Sequence, residues 1–130
     1  MPPQPPRRSI AEAVMSALSK GTVAEAIATY RKLKAQRPDE YRFNPGELNR
    51  VGYQVMKRGR LADAIELFKL NVEMYPQDGN VHDSLGEAYL ARGDKALAAE
   101  SYRRAVELDP KNADAARILK ELEQSAPKAP

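Results

Sequence analysis

The sequence has 130 residues, of which 42% are hydrophobic and 30% are charged, and its formal net charge is +3. It contains no cysteine and one histidine, His82, which excludes disulfide bonds, thiolate catalysis and metal sites built from several histidines. No segment reaches the roughly 18 consecutive apolar residues of a membrane-spanning helix, and the net charge is small. We therefore expect one globular domain that binds neither membranes nor nucleic acids and needs no metal or cofactor.

The first predicted structural unit is a pair of helices over residues 9–40. Capping boxes are predicted to begin at Ser9 and Thr22. In a capping box, the side chains of the N-cap residue and of the residue three positions later each accept a hydrogen bond from the other's backbone amide. Gly21 is predicted to end the first helix in the left-handed conformation, and Pro38 is predicted to end the second.

An internal repeat of 34 residues follows. Residues 45–78 align with residues 79–112 without a gap, and nine aligned pairs are identical. Each copy shows apolar side chains at helical spacing in two stretches, which predicts two helices per copy. The recurring markers are two mid-helix glycines, two glycines that end the first helices and two prolines that end the second helices: Gly52, Gly86, Gly59, Gly93, Pro76 and Pro110.

The first helix of the second unit has its own start signal. Asn44 offers an N-cap, Pro45 suits the first turn, and Glu47 is predicted to complete a capping box. The spacing from Pro38 to Pro76 is 38 residues rather than 34, so four extra residues lie in "DEYRFNPGEL". We expect a looser joint between the first and second units there.

The C-terminal part is predicted to close the array. Residues 113–124 form an amphipathic helix whose polar outer face suits the open end of a stack. Residues 1–8 and 125–130 are rich in proline or small residues and are predicted to be disordered.

The repeat resembles the tetratricopeptide repeat (TPR), clearly over residues 45–112 and weakly over residues 9–40. The signature positions of the family are occupied by Leu85, Gly86, Tyr89, Gly93, Ala98, Tyr102, Ala105 and Pro110. The resemblance implies an all-α, right-handed α-solenoid of about three helix-turn-helix units plus a C-terminal capping helix. Gly86 and Ala98 would then let two helices approach closely, at some cost in helix propensity.

The resemblance also implies a binding surface, because the first helices of such units line the concave face. At those positions this sequence presents Met15, Asn49, Tyr53, Met56, Lys57, Asp83, Glu87 and Leu90. We single out Tyr53, because the core does not require a large aromatic residue there. The paired Lys and Asn with which some family members clamp a C-terminal carboxylate are replaced by Ala11, Met15, Arg50, Asn80 and Ser84. A receptor for such chaperone tails is therefore not predicted.

Catalysis is not predicted for this chain. Nucleophile and phosphate-loop motifs are missing, and "DPKNAD" lacks the spaced ligands of a calcium loop. We expect His82 to have a structural role. The basic run "YRKLKAQR" is interpreted as a solvated helix face, because it lacks interleaved aromatic residues that could stack on bases.

A narrower resemblance concerns residues 41–112, which look like the TPR tail appended to many bacterial serine hydrolases of the β-lactamase-like and α/β-hydrolase kinds. It implies an accessory domain and transfers no catalytic residue. Three functions are therefore considered: a module that binds a protein or peptide, an accessory domain that docks on a serine hydrolase, and a self-association unit that is a monomer or weak homodimer. The predicted location is cytoplasmic, or periplasmic if the chain is excised from a secreted hydrolase.

Overall fold

The computed structural model describes residue 3 and residues 5–125, so the predicted disordered tail lies outside the described residues except for Ser125. Within the described part, the chain forms seven α-helices and one pair of short β-strands. The strands are β1 (Arg8–Ser9) and β2 (Tyr41–Arg42). The helices are α1 (Ile10–Lys20), α2 (Val23–Gln36), α3 (Pro45–Lys57), α4 (Leu61–Met74), α5 (Gly79–Arg92), α6 (Lys95–Leu108) and α7 (Ala113–Ser125).

The helices pair in sequence order. α1 packs on α2, α3 on α4 and α5 on α6, while α4 also packs on α5 and α6 on α7. One continuous apolar core runs through this stack. The predicted all-α solenoid of three helix pairs with a closing helix is confirmed.

The helix starts follow the sequence signals only in part. Thr22 and Glu25 form the complete capping box that was predicted. The side chain of Ser9 accepts a hydrogen bond from the Glu12 amide at 3.4 Å, which is one half of such a box. The predicted box at Glu47 is wrong: its amide donates to Asn44 Oδ1 at 3.2 Å, but its carboxylate turns away to form ion pairs.

The glycines that follow the first helices differ in conformation. Gly59 and Gly93 have φ angles of 80° and 87°, in the left-handed region where glycine carries no steric penalty. The same prediction for Gly21 is wrong, because its φ is −158°. There the chain passes in extended form directly into Thr22, which already caps α2.

The mid-helix glycines lie where two helices cross. A Cβ added to Gly52 would lie 2.6 Å from Phe68 Cζ, and one added to Gly86 would lie 2.9 Å from Tyr102 Cε2. Phe68 and Tyr102 are both at most 1% exposed. The glycines are therefore present because an aromatic ring of the partner helix occupies the space that a side chain would need.

The joint between the first and second units is built differently from the others. α2 lacks the extensive packing on α3 that α4 has on α5, in agreement with the looser joint predicted for the insertion. Instead β1 pairs with β2 in parallel, so Arg8, which was placed in the disordered leader, is held in a strand. The ring of Phe43 lies 5.5 Å from that of Tyr30 and 6.4 Å from that of Tyr41. The inserted residues thus fill the joint with aromatic side chains.

The same joint contains a polar group that the fold does not use. Tyr30 is 1% exposed, and its hydroxyl lies near that of Tyr75, but neither buried oxygen makes a hydrogen bond of standard geometry among the described residues. We expect Tyr30→Phe to leave the free energy of unfolding unchanged or to raise it by up to about 1 kcal/mol, because a buried unpaired hydroxyl costs free energy. Urea unfolding followed by circular dichroism checks this. A loss above about 1 kcal/mol would show that the hydroxyl is bonded in solution.

The last helix ends the array. Ala115 is fully buried against the core, while Ile118, Leu119 and Leu122 are half-buried. In the 34-residue spacing, Lys120 stands where Gly52 and Gly86 stand in the preceding first helices. The exposed charged side chain at this position agrees with the polar outer face expected of a capping helix.

Candidate peptide-binding groove

The first helices of the three units lie side by side, because α3 contacts both α1 and α5. All eight predicted binding residues lie on these three helices. We call the surface formed by Met15, Asn49, Tyr53, Met56, Lys57, Asp83, Glu87 and Leu90 the groove face. Met15, Met56 and Leu90 are half-buried: each packs against the core and leaves the rest of its side chain uncovered.

Tyr53 makes more contacts within the protein than the sequence predicted. Its ring packs edge-on against the fully buried Phe68 with 5.2 Å between ring centroids. Its hydroxyl donates to Glu87 Oε2 at 2.6 Å and accepts a hydrogen bond from the Ser84 hydroxyl, whose Oγ lies 3.2 Å away, which connects α3 to α5. The interpretation that the core does not require Tyr53 is therefore wrong, since this side chain joins two units.

The remaining polar residues of the groove face differ in whether they already form hydrogen bonds within the protein. Asp83 accepts a hydrogen bond from Asn112 Nδ2 at 2.7 Å, which ties α5 to the loop before α7. Asn49 has a buried Oδ1 without a hydrogen-bond partner among the described residues. Lys57 is exposed. Of the polar groove-face residues of α3, Lys57 is therefore the one whose charged group is exposed to a ligand.

The sequence reasoning missed a second group of residues, at the end of the groove face between α1 and α3. Glu47 has a side chain only 5% exposed, and it lies between the guanidinium groups of Arg42 and Arg50. An open cavity of about 420 Å³ adjoins this cluster. It is lined by Ser9, Ala11, Glu12, Met15, Arg42, Arg50 and Gln54. The spacing of Glu47 and Arg50 on one helix could have indicated an ion pair. Arg42 lies in the insertion and gave no signal.

The described residues do not form a metal site, and basic residues of 30–37 make contacts within the protein. Groups of three or more His, Cys, Asp or Glu side chains suited to a metal are absent there. His82 Nε2 lies 2.9 Å from the Pro76 carbonyl oxygen, as expected for a structural histidine. In the basic run, Arg31 is paired with Glu73, and Lys34 lies over the ring of Phe43. Among the described residues, no helix combines the length and apolarity needed to cross a membrane.

The contacts of Tyr53 predict how stability depends on alkaline pH. Burial and the hydrogen bond to Glu87 raise the pKa of Tyr53 to about 12, above the value near 10 of an unfolded chain. The folded state thus favours the neutral phenol, so this stabilisation is complete below about pH 10 and is lost as the pH rises towards 12. We expect the free energy of unfolding to fall less steeply over this interval in Tyr53→Phe than in the wild type. Urea titrations at pH 8, 10 and 11 measure both slopes, and equal slopes would contradict this role.

The repeat segment is similar to a known protein family. A family model described as tetratricopeptide repeat matches residues 52–113. This segment is therefore similar to tetratricopeptide repeats. Superkiller complex protein 3 of Homo sapiens is 36% identical over 63 residues, which are 48% of this chain but 4% of that protein. Its counterpart from Mus musculus is 38% identical over 61 residues, again 4% of its length. The chain therefore spans only a small part of these curated relatives.

Solved structures show the same fold over most of the chain. The first TPR of Spaghetti (RPAP3), bound to the HSP90 peptide SRMEEVD, has a TM-score of 0.60 at 23% identity and covers 89% of both chains. The crystal structure of MamA has a TM-score of 0.58 at 28% identity, and the match covers 86% of this chain and 63% of that one. The same helical fold thus extends beyond the segment that the family model matches.

Proposed function

We propose that the chain is a non-catalytic interaction module whose groove face binds a peptide or a helix of a partner protein. The observation that carries this is the row of half-buried apolar side chains on three consecutive first helices, Met15, Met56 and Leu90. These side chains offer uncovered apolar surface next to the charged Lys57 and Glu87. Apolar anchor points bordered by charges are typical of surfaces that hold an amphipathic segment. The small surface favours micromolar affinity.

Similarity to other TPR structures supports the class of ligand but not its identity. The RPAP3 repeat is described as bound to a peptide, which makes a peptide ligand reasonable for this fold. The positions at which the family clamps a C-terminal carboxylate are Ala11, Met15, Arg50, Asn80 and Ser84 in this chain. We therefore do not expect the same kind of peptide to bind in the same way.

A selection experiment tests the proposed function. A random dodecapeptide library displayed on phage is panned against the immobilised chain, and the enriched peptides are synthesised. We expect them to bind at least about tenfold more weakly to Met56→Ser/Leu90→Ser than to the wild type, because the variant loses two apolar contacts. Met74→Ser serves as the matched control, since Met74 is half-buried on α4, away from the groove face. Failure to enrich any peptide, or equal binding to all three proteins, would reject the proposed function.

Self-association is a second candidate, favoured by α7. The half-buried Ile118, Leu119 and Leu122 lie on the last described helix, where they leave apolar surface uncovered. Sedimentation equilibrium across a wide concentration range decides this, and a monomer at every concentration would reject it. Docking on a serine hydrolase stays a prediction, which is tested by mixing the chain with such an enzyme.

A further inference from the structure

A second uncovered surface lies between the second helices of the first two units, where α2 packs on α4. A cavity of about 260 Å³ opens there, which we call the joint cavity. It is lined by Tyr30, Arg31, Lys34, Ala35 and Met74. A neighbouring cavity of about 540 Å³ shares Met74 with it and continues along Tyr75 and Pro76. No residue of the groove face lines either cavity, so a ligand bound here leaves the groove face free.

The joint cavity offers apolar contacts to a ligand. Tyr30 and Ala35 of α2 and Met74 of α4 contribute to its lining. Met74 packs against the core and leaves the rest of its side chain uncovered, and Ala35 is exposed. Because an unbranched thioether adapts to different shapes, such a lining accepts one apolar side chain of a partner.

The acidic groups next to these cavities are already compensated. Glu73 on α4 accepts two hydrogen bonds from the guanidinium group of Arg31, at 2.5 and 3.1 Å, so the two charges neutralise each other. Asp78 lines the neighbouring cavity and is the N-cap of α5, where the helix dipole stabilises its negative charge.

Two lysines of α2 carry charge that is not compensated in this way. Lys34 Nζ lies 4.8 Å from the ring centroid of Phe43 and 5.8 Å from that of Tyr75. Lys32 is exposed and neighbours Ala35 on the helix surface, three residues along. Among the described residues, neither lysine has a carboxylate within ion-pair distance. The aromatic rings hold the Lys34 ammonium group near the joint cavity before a ligand binds.

We propose that the joint cavity is a second docking site, which binds an apolar side chain flanked by Asp or Glu in a segment of a partner protein. The apolar side chain contacts Ala35 and Met74, and the flanking carboxylates pair with Lys32 and Lys34. Complementary charge selects an acidic segment over a basic one. This inference does not depend on the proposed function, because the site lies outside the groove face.

A subtractive selection tests the site. A random dodecapeptide library displayed on phage is first depleted on the immobilised Ala35→Glu variant and then panned against the wild type. Ala35 is exposed on α2, so the variant keeps the fold, while its added carboxylate occupies the cavity lining and repels an acidic ligand. Depletion also removes peptides that bind the unchanged groove face. We expect the surviving peptides to carry a large apolar residue flanked by acidic residues. No survivors, or survivors without acidic residues, overturn the proposal.

Isothermal titration with a synthetic surviving peptide measures the contribution of the two lysines. Lys32→Gln/Lys34→Gln should bind about three- to tenfold more weakly, as expected for two partly exposed ion pairs. Lys95→Gln/Lys111→Gln is the charge-matched control, since both lysines are exposed at or beyond the ends of α6, and should change the affinity less than twofold. Wild-type affinity in the first variant overturns the proposal.

A conservative variant guards against a loss of folding. Lys32→Arg/Lys34→Arg keeps both charges and the cation–π contacts, so it should stay folded by circular dichroism and bind within about twofold of the wild type. A folded Arg variant that binds as weakly as the Gln variant shows that charge does not hold the peptide, which contradicts the proposed pairing.

The two surfaces respond to different variants. Peptides of the joint cavity should bind several-fold more weakly to Met74→Ser and as well as before to Met56→Ser/Leu90→Ser. Surviving peptides with the opposite pattern bind the groove face, and they reject the joint cavity as a docking site. Failure of the groove selection leaves this test intact, since depletion on Ala35→Glu isolates the joint cavity.

Discussion

Gly52→Leu is expected to lower the free energy of unfolding by about 3 kcal/mol or more, although leucine is the better helix former by roughly 1 kcal/mol. Even the Cβ of a new side chain would lie 2.6 Å from Phe68 Cζ, and Phe68 has no exposed surface through which it could move away. Its ring is held from another side by Tyr53, 5.2 Å away between centroids. Urea unfolding followed by circular dichroism measures the loss.

Smaller changes at the same crossing provide the controls. Gly86→Ala should cost less than Gly52→Ala, because the added Cβ would lie farther from its aromatic neighbour, 2.9 Å from Tyr102 Cε2. In Gly52→Ala/Phe68→Leu, the smaller side chain makes room, so the two changes should be less destabilising together than the sum of the single effects. Additive effects, or a Gly52→Ala variant as stable as the wild type, would contradict the packing role of this glycine.

Tyr102→Ala is expected to cost about 3–5 kcal/mol, the range found when a large buried aromatic residue is truncated. Tyr102 is 1% exposed and fills the space above Gly86, so alanine would leave a cavity between α5 and α6. A thermal or urea melt measures the effect.

The matched control is Tyr102→Phe, which keeps the ring and removes only the hydroxyl. Burial and the nearby Asp83 and Glu87 carboxylates raise the pKa of Tyr102, so the hydroxyl stays neutral at ordinary pH. We expect Tyr102→Phe to remain within about 1 kcal/mol of the wild type. Comparable losses in both variants would show that the hydroxyl, rather than the ring, holds the crossing.

The helix pairs could be predicted from the sequence because their determinants recur at a fixed spacing. Gly52 and Gly86 mark the crossings, and Pro76 and Pro110 end the second helices two residues after their last helical residue. The first unit was harder to predict, since its glycine position holds Val14 and its joint contains inserted residues. The signals are strong where two copies confirm each other and weak where only one copy exists.

The groove face could be predicted as a set of positions but not as a set of contacts. Spacing places Tyr53 and Glu87 on neighbouring first helices, yet their hydrogen bond depends on how two units stack. The arginine cluster depends on the insertion, because Arg42 reaches Glu47 only after β2 has paired with β1. Such a contact between distant segments leaves no periodic trace in the sequence.

The pairing of β1 with β2 also affects how the chain opens. The first unit packs on the second through α1 on α3 and α2 on α4, but α2 lacks the extensive packing on α3 that α4 has on α5. The strand pair, the Phe43 aromatic cluster and the Arg31–Glu73 ion pair complete this smaller attachment. Repeat arrays unfold in segments whose stability depends on contacts with their neighbours. Amide protons of α1 and α2 should therefore exchange with solvent deuterium sooner than those of α5 and α6. A peptide that contacts both Met15 on α1 and Met56 on α3 would slow this exchange, so occupancy of the groove would be detected as protection of the N-terminal helices.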